Sequence, residues 1–263
     1  MTGISIVIIC KNEAAVIGHT LEKIKGVSDD IIVYDNGSTD ETVSIVRQYP
    51  VRLEQGPWEG FGRTKNKACA LAKHDWILSL DADETPDETL VASLQSFDGA
   101  EEKTVYDIRF KNFLGNVHLR FGEWGDDSHI RLFNRKLVLW NEAPVHEELI
   151  IPAGVSISKI KGAILHRTMK DIAEYAIKMA HYAELRAGQY FKNNKKASWY
   201  KIRVAPTFNF IKYYFFKGGF LDGHEGFVCA KMTAFYTFLK YSRLKEMYKV
   251  EEKKSLPHRH IDT

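Results

Sequence analysis

The chain has 263 residues and a net charge of +3, with 37 Lys and Arg against 34 Asp and Glu. This length suits one large α/β domain with an appendage, and so small a positive charge gives no reason to expect a nucleic-acid partner. The apolar runs fall short of the roughly 18 residues of a membrane-spanning helix, and the start of the chain lacks the pattern of a signal peptide. Three cysteines without metal-ligand spacing predict reduced thiols in a cytosolic setting.

Four predicted strands alternate with helices in the first third of the chain. The strands are Ile4–Cys10, Asp30–Tyr34, Val51–Glu54 and Trp76–Leu80. The helices are Glu13–Lys25, a segment to about Gln48 opened by a capping box of Ser38 and Glu41, Arg63–Lys73, and one after Thr85. Because strands and helices alternate, we expect a parallel sheet built from right-handed crossovers.

Polar residues collect at the carboxyl ends of these predicted strands. They are Glu13, Asp35, Asp40, Asp81 and Asp83. The carboxyl ends of parallel strands meet at one edge of the sheet, and open α/β sheets bind ligands there. We therefore expect these side chains to face one crevice.

The fourth strand ends in three carboxylates, Asp81, Asp83 and Glu84. Neighbouring carboxylates repel each other, and a hard divalent cation such as Mg²⁺ or Mn²⁺ relieves that repulsion. A solvated acidic turn is the alternative, because an isolated Asp-x-Asp is a short motif. The following helix is expected to begin with Thr85 as N-cap and Pro86 in the first position.

The chain changes character after the fourth helix. Alternating residues predict strands at Thr104–Phe113 and Val117–Phe121, and a hairpin of His129–Phe133 with Leu137–Trp140. These strands predict antiparallel additions to the sheet. A long helix follows from Asp171 to about Phe191.

The segment Trp199–Tyr248 combines many aromatic residues with lysines and arginines. Helices of this kind lie in membrane interfaces, with the aromatics down and the cations at the headgroups. The alternative is an appendage packed on the catalytic domain or on a second subunit. The predicted organisation is a catalytic domain at 1–165 (donor half 1–100, acceptor half 101–165), a helical region at 166–250 and a flexible tail at 251–263.

Several short blocks resemble a known family. They are Ser5–Glu13, Val33–Thr42, Gly60–Asn66 and Leu80–Glu84, followed by Asp127–Phe133, Val145–Glu147 and Gly219–Gly223. In this order they resemble glycosyltransferases of family 2, and more narrowly the bacterial lipopolysaccharide core glucosyltransferases. The chain departs from many relatives at Asn36, where they carry a second aspartate.

The resemblance implies a GT-A (Rossmann-like) fold, with a mixed sheet, helices on both faces and a C-terminal amphipathic helical appendage. It also implies a nucleotide-sugar donor, with a UDP-sugar favoured, and a bound Mg²⁺ or Mn²⁺. The residues that would bind the donor are Glu13, Asp35, Asp40, Arg63, Lys65, Asp81 and Arg131. Asp83 would hold the metal between the phosphates, Asp81 would contact the ribose or metal-bound water, and Arg131 is also readable as a surface residue.

Two carboxylates are candidates for the general base that an inverting transfer requires. Asp127 follows a glycine-bearing loop and precedes a strand, and Glu147 lies beside His146. We place Asp127 first and leave Glu147 open. His146 is either a further metal or phosphate contact or a hydrogen-bonded loop histidine.

The function predicted on these grounds is transfer of a hexose, with glucose favoured, to a lipopolysaccharide core or related glycolipid. The enzyme is expected to be peripheral on the inner face of the cytoplasmic membrane. Transfer to a polyprenyl phosphate and a non-catalytic sugar-nucleotide-binding module are the alternatives. A nucleotidyltransferase is disfavoured, because Lys11-Asn12-Glu13 stands where a Gly-rich run would be. Sugar, acceptor, oligomeric state and choice of metal stay open.

Overall fold

A computed structural model describes residues 3–142 and 148–255. The chain divides into two compact units. The first comprises the described parts of Met1–Lys111 and Asp127–Arg167, and the second comprises Asn112–Asp126 with the described residues from Thr168 onward.

The first unit is built on a mixed sheet. Its strands are β1 (Ile4–Cys10), β2 (Asp30–Asp35), β3 (Arg52–Gln55), β4 (Trp76–Asp81), β5 (Glu84–Pro86), β6 (Thr104–Leu114), β8 (Ser128–Asn134) and β11 (Ser156–Met169), with β7 (Val117–His118) lying in the second unit. The order across the sheet is β3-β2-β1-β4-β8-β6-β11-β5. Strands β3, β2, β1 and β4 run parallel, as their alternation with helices predicts, whereas β8 pairs antiparallel with both β4 and β6.

Helices cover both faces of this sheet. They are α1 (Ile17–Ile24), α2 (Thr42–Val46), α3 (Phe61–Ala70) and α4 (Glu88–Gln95). Side chains of α1, α2 and α4 pack on one face with Ile6 and Ile8, while α3 packs on the other with Val7 and Ile9. The predicted α/β architecture, a mixed sheet with helices on both faces, is confirmed.

Gly62 on α3 explains part of the Gly60–Asn66 block. A Cβ at this position would lie 1.7 Å from the backbone oxygen of Asn141. Only glycine permits α3 to approach the backbone of Asn141 so closely. The side chain of Asn66, also on α3, forms hydrogen bonds of 2.9 and 3.0 Å with the backbone of the preceding residue, Trp140.

Two predicted helix starts are wrong. Residues Glu84–Pro86 form β5, which pairs antiparallel with Ile164–His166, and the side chain of Asp87 caps α4. The hydroxyl of Ser38 donates to Asp35 rather than capping a helix, and α2 begins at Thr42. In the first case a strand pairing distant in sequence replaces the local capping box, and in the second a hydrogen bond to Asp35, three residues earlier, does so.

The predicted hairpin around residues 134–135 is also wrong. The β8 strand lies between β4 and β6, and β9 (Leu139–Trp140) pairs instead with β10 (Leu149–Ile150). Leu132 and Phe133 are buried in the cores on opposite faces of the sheet, which explains why β8 joins the main sheet. The long strand β11 was not predicted.

The second unit is mainly helical. It contains α5 (Ile172–Lys192), α6 (Trp199–Arg203), α7 (Ala205–Ile211), a π-helical turn at Lys212–Phe216, a 3-10 turn at Gly219–Asp222 and α8 (Gly223–Ser255). The α5 helix begins at its N-cap Asp171, close to the predicted start. In the core of this unit, Tyr175 packs with Val228, Leu119 and Met169. Within the described residues, no helix has the length and apolarity needed to cross a membrane.

Candidate functional site

Hydrogen bonds tie together the loops that follow β1 and β2. The backbone N–H of Glu13 donates to the hydroxyl of Thr42 at 2.8 Å, and the carboxylate of Asp40 accepts from Ala14 at 3.2 Å and from Thr42. Asn12, which adopts a positive φ of 59°, accepts from the N–H of Thr39 at 2.8 Å. Glu13 and Asp40 are thus brought to one place, as predicted.

Asp35 lies fully buried at the end of β2 and organises the turn that follows. Its carboxylate accepts hydrogen bonds from the backbone N–H groups of Gly37 at 3.2 Å and of Ser38 at 3.2 and 3.3 Å, and from Gln55 at 3.2 Å. These donors hold the carboxylate in a fixed orientation at the sheet edge.

The carboxyl end of β4 carries a charge network in which Lys65, Arg131 and Glu84 are buried and Asp81 is partly exposed. Asp81 contacts two cations: Lys65 Nζ lies 3.3 Å from Oδ1, and Arg131 donates to Oδ2 at 3.0 Å. Arg131 also donates to Glu84, whose side chain is only 1% exposed. Arg131 is 8% exposed, so the structure rejects the alternative that it is a surface residue.

The pKa values of the two carboxyl groups move in opposite directions. Burial by itself opposes ionisation of Asp81, but the charges of Lys65 and Arg131 outweigh it and hold the pKa of Asp81 well below its usual range. Burial raises the pKa of Glu84, and the neighbouring charge of Asp81 adds to this, while Arg131 opposes it. Asp81 is therefore the permanently charged member of the pair.

Asp83 faces a histidine that the sequence did not single out. His166 Nε2 on β11 lies 3.3 Å from Asp83 Oδ2. Its ring packs edge-on against Phe110, with centroids 5.8 Å apart, and Phe110 also lies 5.3 Å from the guanidinium of Arg131. Burial lowers the pKa of His166, but the hydrogen bond and charge of Asp83, with Glu84 and Asp81, raise it on balance.

The side chains near Asp83 suit a hard divalent cation in chemical type. A carboxylate and an imidazole both bind Mn²⁺, and Mg²⁺ sites use one or two carboxylates with substrate phosphates. Among residues 3–142 and 148–255, three or more His, Cys, Asp or Glu side chains do not converge in a ready-made metal cage. Asp83 and His166 would therefore need oxygen ligands from a substrate. The buried Nε atom of Arg131 also has no hydrogen-bond partner within the described chain, so the network has a donor left for a ligand.

A cavity of about 630 Å³ opens beside the network. Lys65, Asp81, Arg131 and Trp140 line it, and the ammonium of Lys65 lies 4.7 Å from the Trp140 ring centroid. Its volume is in the range of small-molecule sites. An aromatic wall with two cations and a carboxylate suits a ligand that carries phosphates and a planar or sugar ring.

Asp127, the first candidate base, immediately precedes β8. Its carboxylate lies 3.0 Å from His129 Nε2, and its backbone oxygen accepts from Phe110 at 2.8 Å. The His129 ring also contacts Phe110, with centroids 5.0 Å apart, and His129 lines the cavity. Phe110 thus packs against His129, His166 and Arg131 together.

Arg63 is not part of this cluster. It donates to Glu142 at 2.6 Å and its side chain is 55% exposed. His146 and Glu147 lie outside the described residues. Lys65, and not Arg63, is therefore the α3 residue that meets the acidic turn.

Two contributors to the site were missed by sequence reasoning, His166 and Trp140. The alternation of Ile160, Gly162 and Ile164 is compatible with a strand, but no local motif places His166 beside Glu84. That contact exists only because β11 and β5 pair across the sheet edge.

Comparisons with known proteins give the chain a family. The sequence profile described as Glycosyl transferase family 2 matches residues 5–146. The chain is 28% identical to the lipopolysaccharide core biosynthesis glycosyltransferase LpsC of Rhizobium meliloti (strain 1021), over 92% of this chain and 91% of LpsC. It is also 28% identical to the uncharacterized glycosyltransferase RT0209 of Rickettsia typhi, over 94% of this chain and 88% of that protein.

Among solved structures, the chain is similar to S. aureus TarS 1-349 in complex with UDP-GlcNAc, with a TM-score of 0.47 and 14% identity. The match covers 95% of this chain and 92% of TarS 1-349. The family profile spans more than half of the 263 residues and contains the acidic turn with the loops that follow β1 and β2. The chain therefore belongs to glycosyl transferase family 2.

Proposed function

We propose that the chain is an inverting, metal-dependent glycosyltransferase that moves a hexose from a UDP-sugar to a lipopolysaccharide core or related glycolipid. The observation that carries this proposal is the acidic turn after β4, where Asp81 is held by two cations at a cavity and Asp83 faces His166. The similarity to LpsC over nearly the whole chain supports the glycolipid acceptor, and glucose is the sugar we favour.

The donor would be held by charge and hydrogen bonding. Lys65 and Arg131 would bind the diphosphate, and Asp81 would orient them because its ionised carboxylate contacts both. Asp35, Glu13 and the loop around Asp40 would face the nucleoside. Asp83 and His166 would hold Mg²⁺ or Mn²⁺ against the phosphates, where the cation stabilises the charge of the leaving diphosphate.

The transfer requires one proton acceptor. The acceptor hydroxyl oxygen forms a bond to the anomeric carbon of the sugar as the bond from that carbon to the diphosphate oxygen breaks. The hydroxyl proton passes to a carboxylate, and UDP leaves. Asp127 is our candidate for this base, and Glu147 is the competing one. Such an enzyme would act on its lipid-linked acceptor at the inner face of the cytoplasmic membrane.

The first test is calorimetric titration of UDP and of GDP, with and without Mn²⁺, into the intact chain and into Asp83→Asn and His166→Gln. Loss of even an outer-shell partner costs about 10- to 100-fold in metal affinity, so we expect each variant to weaken Mn²⁺-dependent UDP binding at least about tenfold. The matched control is Asp29→Asn with His74→Gln. That pair has its side chains 2.7 Å apart at the opposite, amino end of the strands.

Absence of UDP and GDP binding in the folded chain would contradict the proposal and leave the acidic turn as a structural cap. Binding of UDP without transfer to any glycolipid, unchanged by Asp127→Asn and Glu147→Gln, would favour a non-catalytic sugar-nucleotide-binding module. A product in which the sugar is bonded to a lipid phosphate would identify a polyprenyl-phosphate glycosyltransferase instead.

A further inference from the structure

The second unit exposes a concentration of large apolar side chains. At the π-helical and 3-10 turns, Phe216 is 81% exposed, Leu221 58%, Phe215 56% and Phe220 49%. On α8, Phe235 is 42% and Phe238 45% exposed. With the exposed cations Arg203, Lys217 and Lys231, these six residues define what we call the aromatic–basic surface. Apolar groups gathered in this way, unlike scattered ones, mark an interaction site.

The rings at the turns form one connected layer. The Tyr214 centroid lies 5.0 Å from Phe215, 6.3 Å from Phe220 and 5.6 Å from Phe227. Phe227 in turn begins a helical row on α8 that continues through Lys231 to Phe235, because residues four apart share a helix face. The rings of Phe215, Phe220 and Phe227 therefore belong to one connected surface, and the row on α8 extends it to Phe235.

The charge of this region is mainly positive, with Asp222 and Glu225 as the acidic residues between Arg203 and Phe238. From Leu185 to Leu221 the sequence contains eight Lys and Arg residues and neither Asp nor Glu. The amine of Lys231 lies 4.6 Å from the Phe210 ring centroid, which places a cation directly at the aromatic layer. Cations among exposed aromatics are the composition of helices that lie in an anionic membrane interface.

A groove in the same unit is also lined by apolar and cationic side chains. It has a volume of about 570 Å³ and is lined by Ile202, Pro206, Phe235 and Phe238, with Arg203 and Lys231 beside them. An apolar groove next to two cations suits a phospholipid, which carries an acyl chain and a phosphate on one molecule. The charge complementarity argues for an anionic lipid and against a second copy of this chain, because two such surfaces would repel each other.

We propose that the aromatic–basic surface binds the anionic phospholipids of a membrane. Phe215, Phe216, Phe220 and Leu221 enter the interface between headgroups and acyl chains, and Lys217 and Lys231 contact lipid phosphates. The inference deepens the proposed function, on which it rests for its biological purpose, because an enzyme with a glycolipid acceptor must work at a lipid surface. Lipid binding itself is measurable without any transferase activity.

The test is co-sedimentation of the full chain with two kinds of vesicle, phosphatidylcholine alone and phosphatidylcholine mixed with phosphatidylglycerol. We expect binding to the mixed vesicles that weakens as salt rises. Each cation near the surface contributes a factor of about 5 in binding, so Lys217→Gln with Lys231→Gln should lose roughly 30-fold. Phe216→Ser should lose at least about tenfold, because the whole ring leaves the interface.

Matched controls lie outside the surface. Ile177 on α5 is 72% exposed and Lys23 on α1 is exposed, so Ile177→Ser and Lys23→Gln remove the same kinds of group elsewhere. Both should bind the mixed vesicles as the unchanged chain does. Calorimetric titration of UDP into each variant distinguishes lipid binding from the proposed function. We expect the surface variants to lose vesicle binding and to keep UDP binding.

Three outcomes would overturn the inference. The first is equal binding to both kinds of vesicle, and the second is equal losses in the surface variants and the controls. The third is absence of vesicle binding together with a dimer that Phe216→Ser dissociates, because the surface would then be an interface between two copies of the chain. In none of these cases would UDP binding change, so the proposed function would stand.

Discussion

Arg131 is the single side chain on which the buried part of the site depends most. It contacts Asp81 and Glu84; Arg131 and Glu84 are buried, whereas the side chain of Asp81 is 38% exposed at the cavity. A buried ion pair is often no more stabilising than an apolar packing of the same volume. The network as a whole therefore need not add net stability, but the loss of Arg131 would leave Glu84 without its cation, whereas Asp81 would keep Lys65.

We expect Arg131→Met to lower the free energy of unfolding by about 3–5 kcal/mol, because its removal leaves the buried carboxylate of Glu84 without a cation. The measurement is urea unfolding at two pH values. Arg131 opposes the rise of the Glu84 pKa, so its removal should raise that pKa further, and the stability of the variant should fall more than that of the unchanged chain as pH rises from the unfolded pKa through the folded one. The deficit should be larger at high pH.

The double variant Arg131→Met with Glu84→Gln provides the control for that interpretation. It removes the charge that Arg131 compensated, so it should recover part of the lost stability and lose the extra pH dependence. A deficit that is independent of pH and unrelieved by Glu84→Gln would show that Arg131 acts through packing against Phe110.

Asp87 links three elements through one carboxylate. It caps α4 by accepting from Leu90 at 2.9 Å, accepts from Ala163 on β11 at 3.0 Å and pairs with Lys111 on β6 at 2.8 Å. Partial burial alone would raise the pKa of Asp87, but the hydrogen bonds from Lys111, Leu90 and Ala163 outweigh it and lower the pKa. The capping predicted for Thr85 thus falls two residues later.

We expect Asp87→Ala to cost about 1–2 kcal/mol of stability near neutral pH, the upper part of the range for a lost N-cap, because the strand contact is lost as well. A folded-state pKa below the unfolded value means that this stability is present above the unfolded pKa and disappears as pH falls through the folded one. Denaturant titrations of both proteins should therefore converge in acid. Asp98→Ala is a control on a nearby turn, where the carboxylate accepts from Ala100 at 3.0 Å. A gap between Asp87→Ala and the unchanged chain that persists in acid would contradict this account.

The two compact units have separate cores, and buried cysteines in both units allow the opening of each unit to be measured. Cys10 and Cys69 are buried in the first unit and Cys229 in the second, and all three are free. Burial is the main cause that raises the pKa of each thiol to about 12. Because the thiolate is the reactive form, a thiol reagent should modify these residues only when the surrounding unit opens.

We expect Cys229 to react over a different range of urea from Cys10 and Cys69. At 100 times its dissociation constant, UDP with Mn²⁺ should stabilise the binding unit by about 2.7 kcal/mol, so it should delay modification of Cys10 and Cys69 more than that of Cys229. Single-cysteine variants monitored by mass spectrometry would make the measurement. One common transition that the ligand shifts equally for all three thiols would show that the chain unfolds as one cooperative body.

Local patterns predicted most of the first half of the fold. The apolar runs at Ile4–Cys10 and Trp76–Leu80 are buried strands, and the polar residues after them meet at one sheet edge. The second half was harder to predict. Short strands such as Leu139–Trp140 carry little periodic signal, and β8 was assigned to a hairpin although its partners, β4 and β6, are distant in sequence.

The sequence by itself determined the α/β class, the parallel half of the sheet and the family, because these depend on periodicity and on short motifs in a set order. Which residues form the charge network was decided only by the tertiary structure. Asp81 meets Arg131, and Asp83 meets His166, only because β8 and β11 join the same sheet as β4 and β5, while Lys65 reaches Asp81 from α3. Strand pairing between distant segments leaves no local pattern, so a contact that depends on it is visible only in the folded chain.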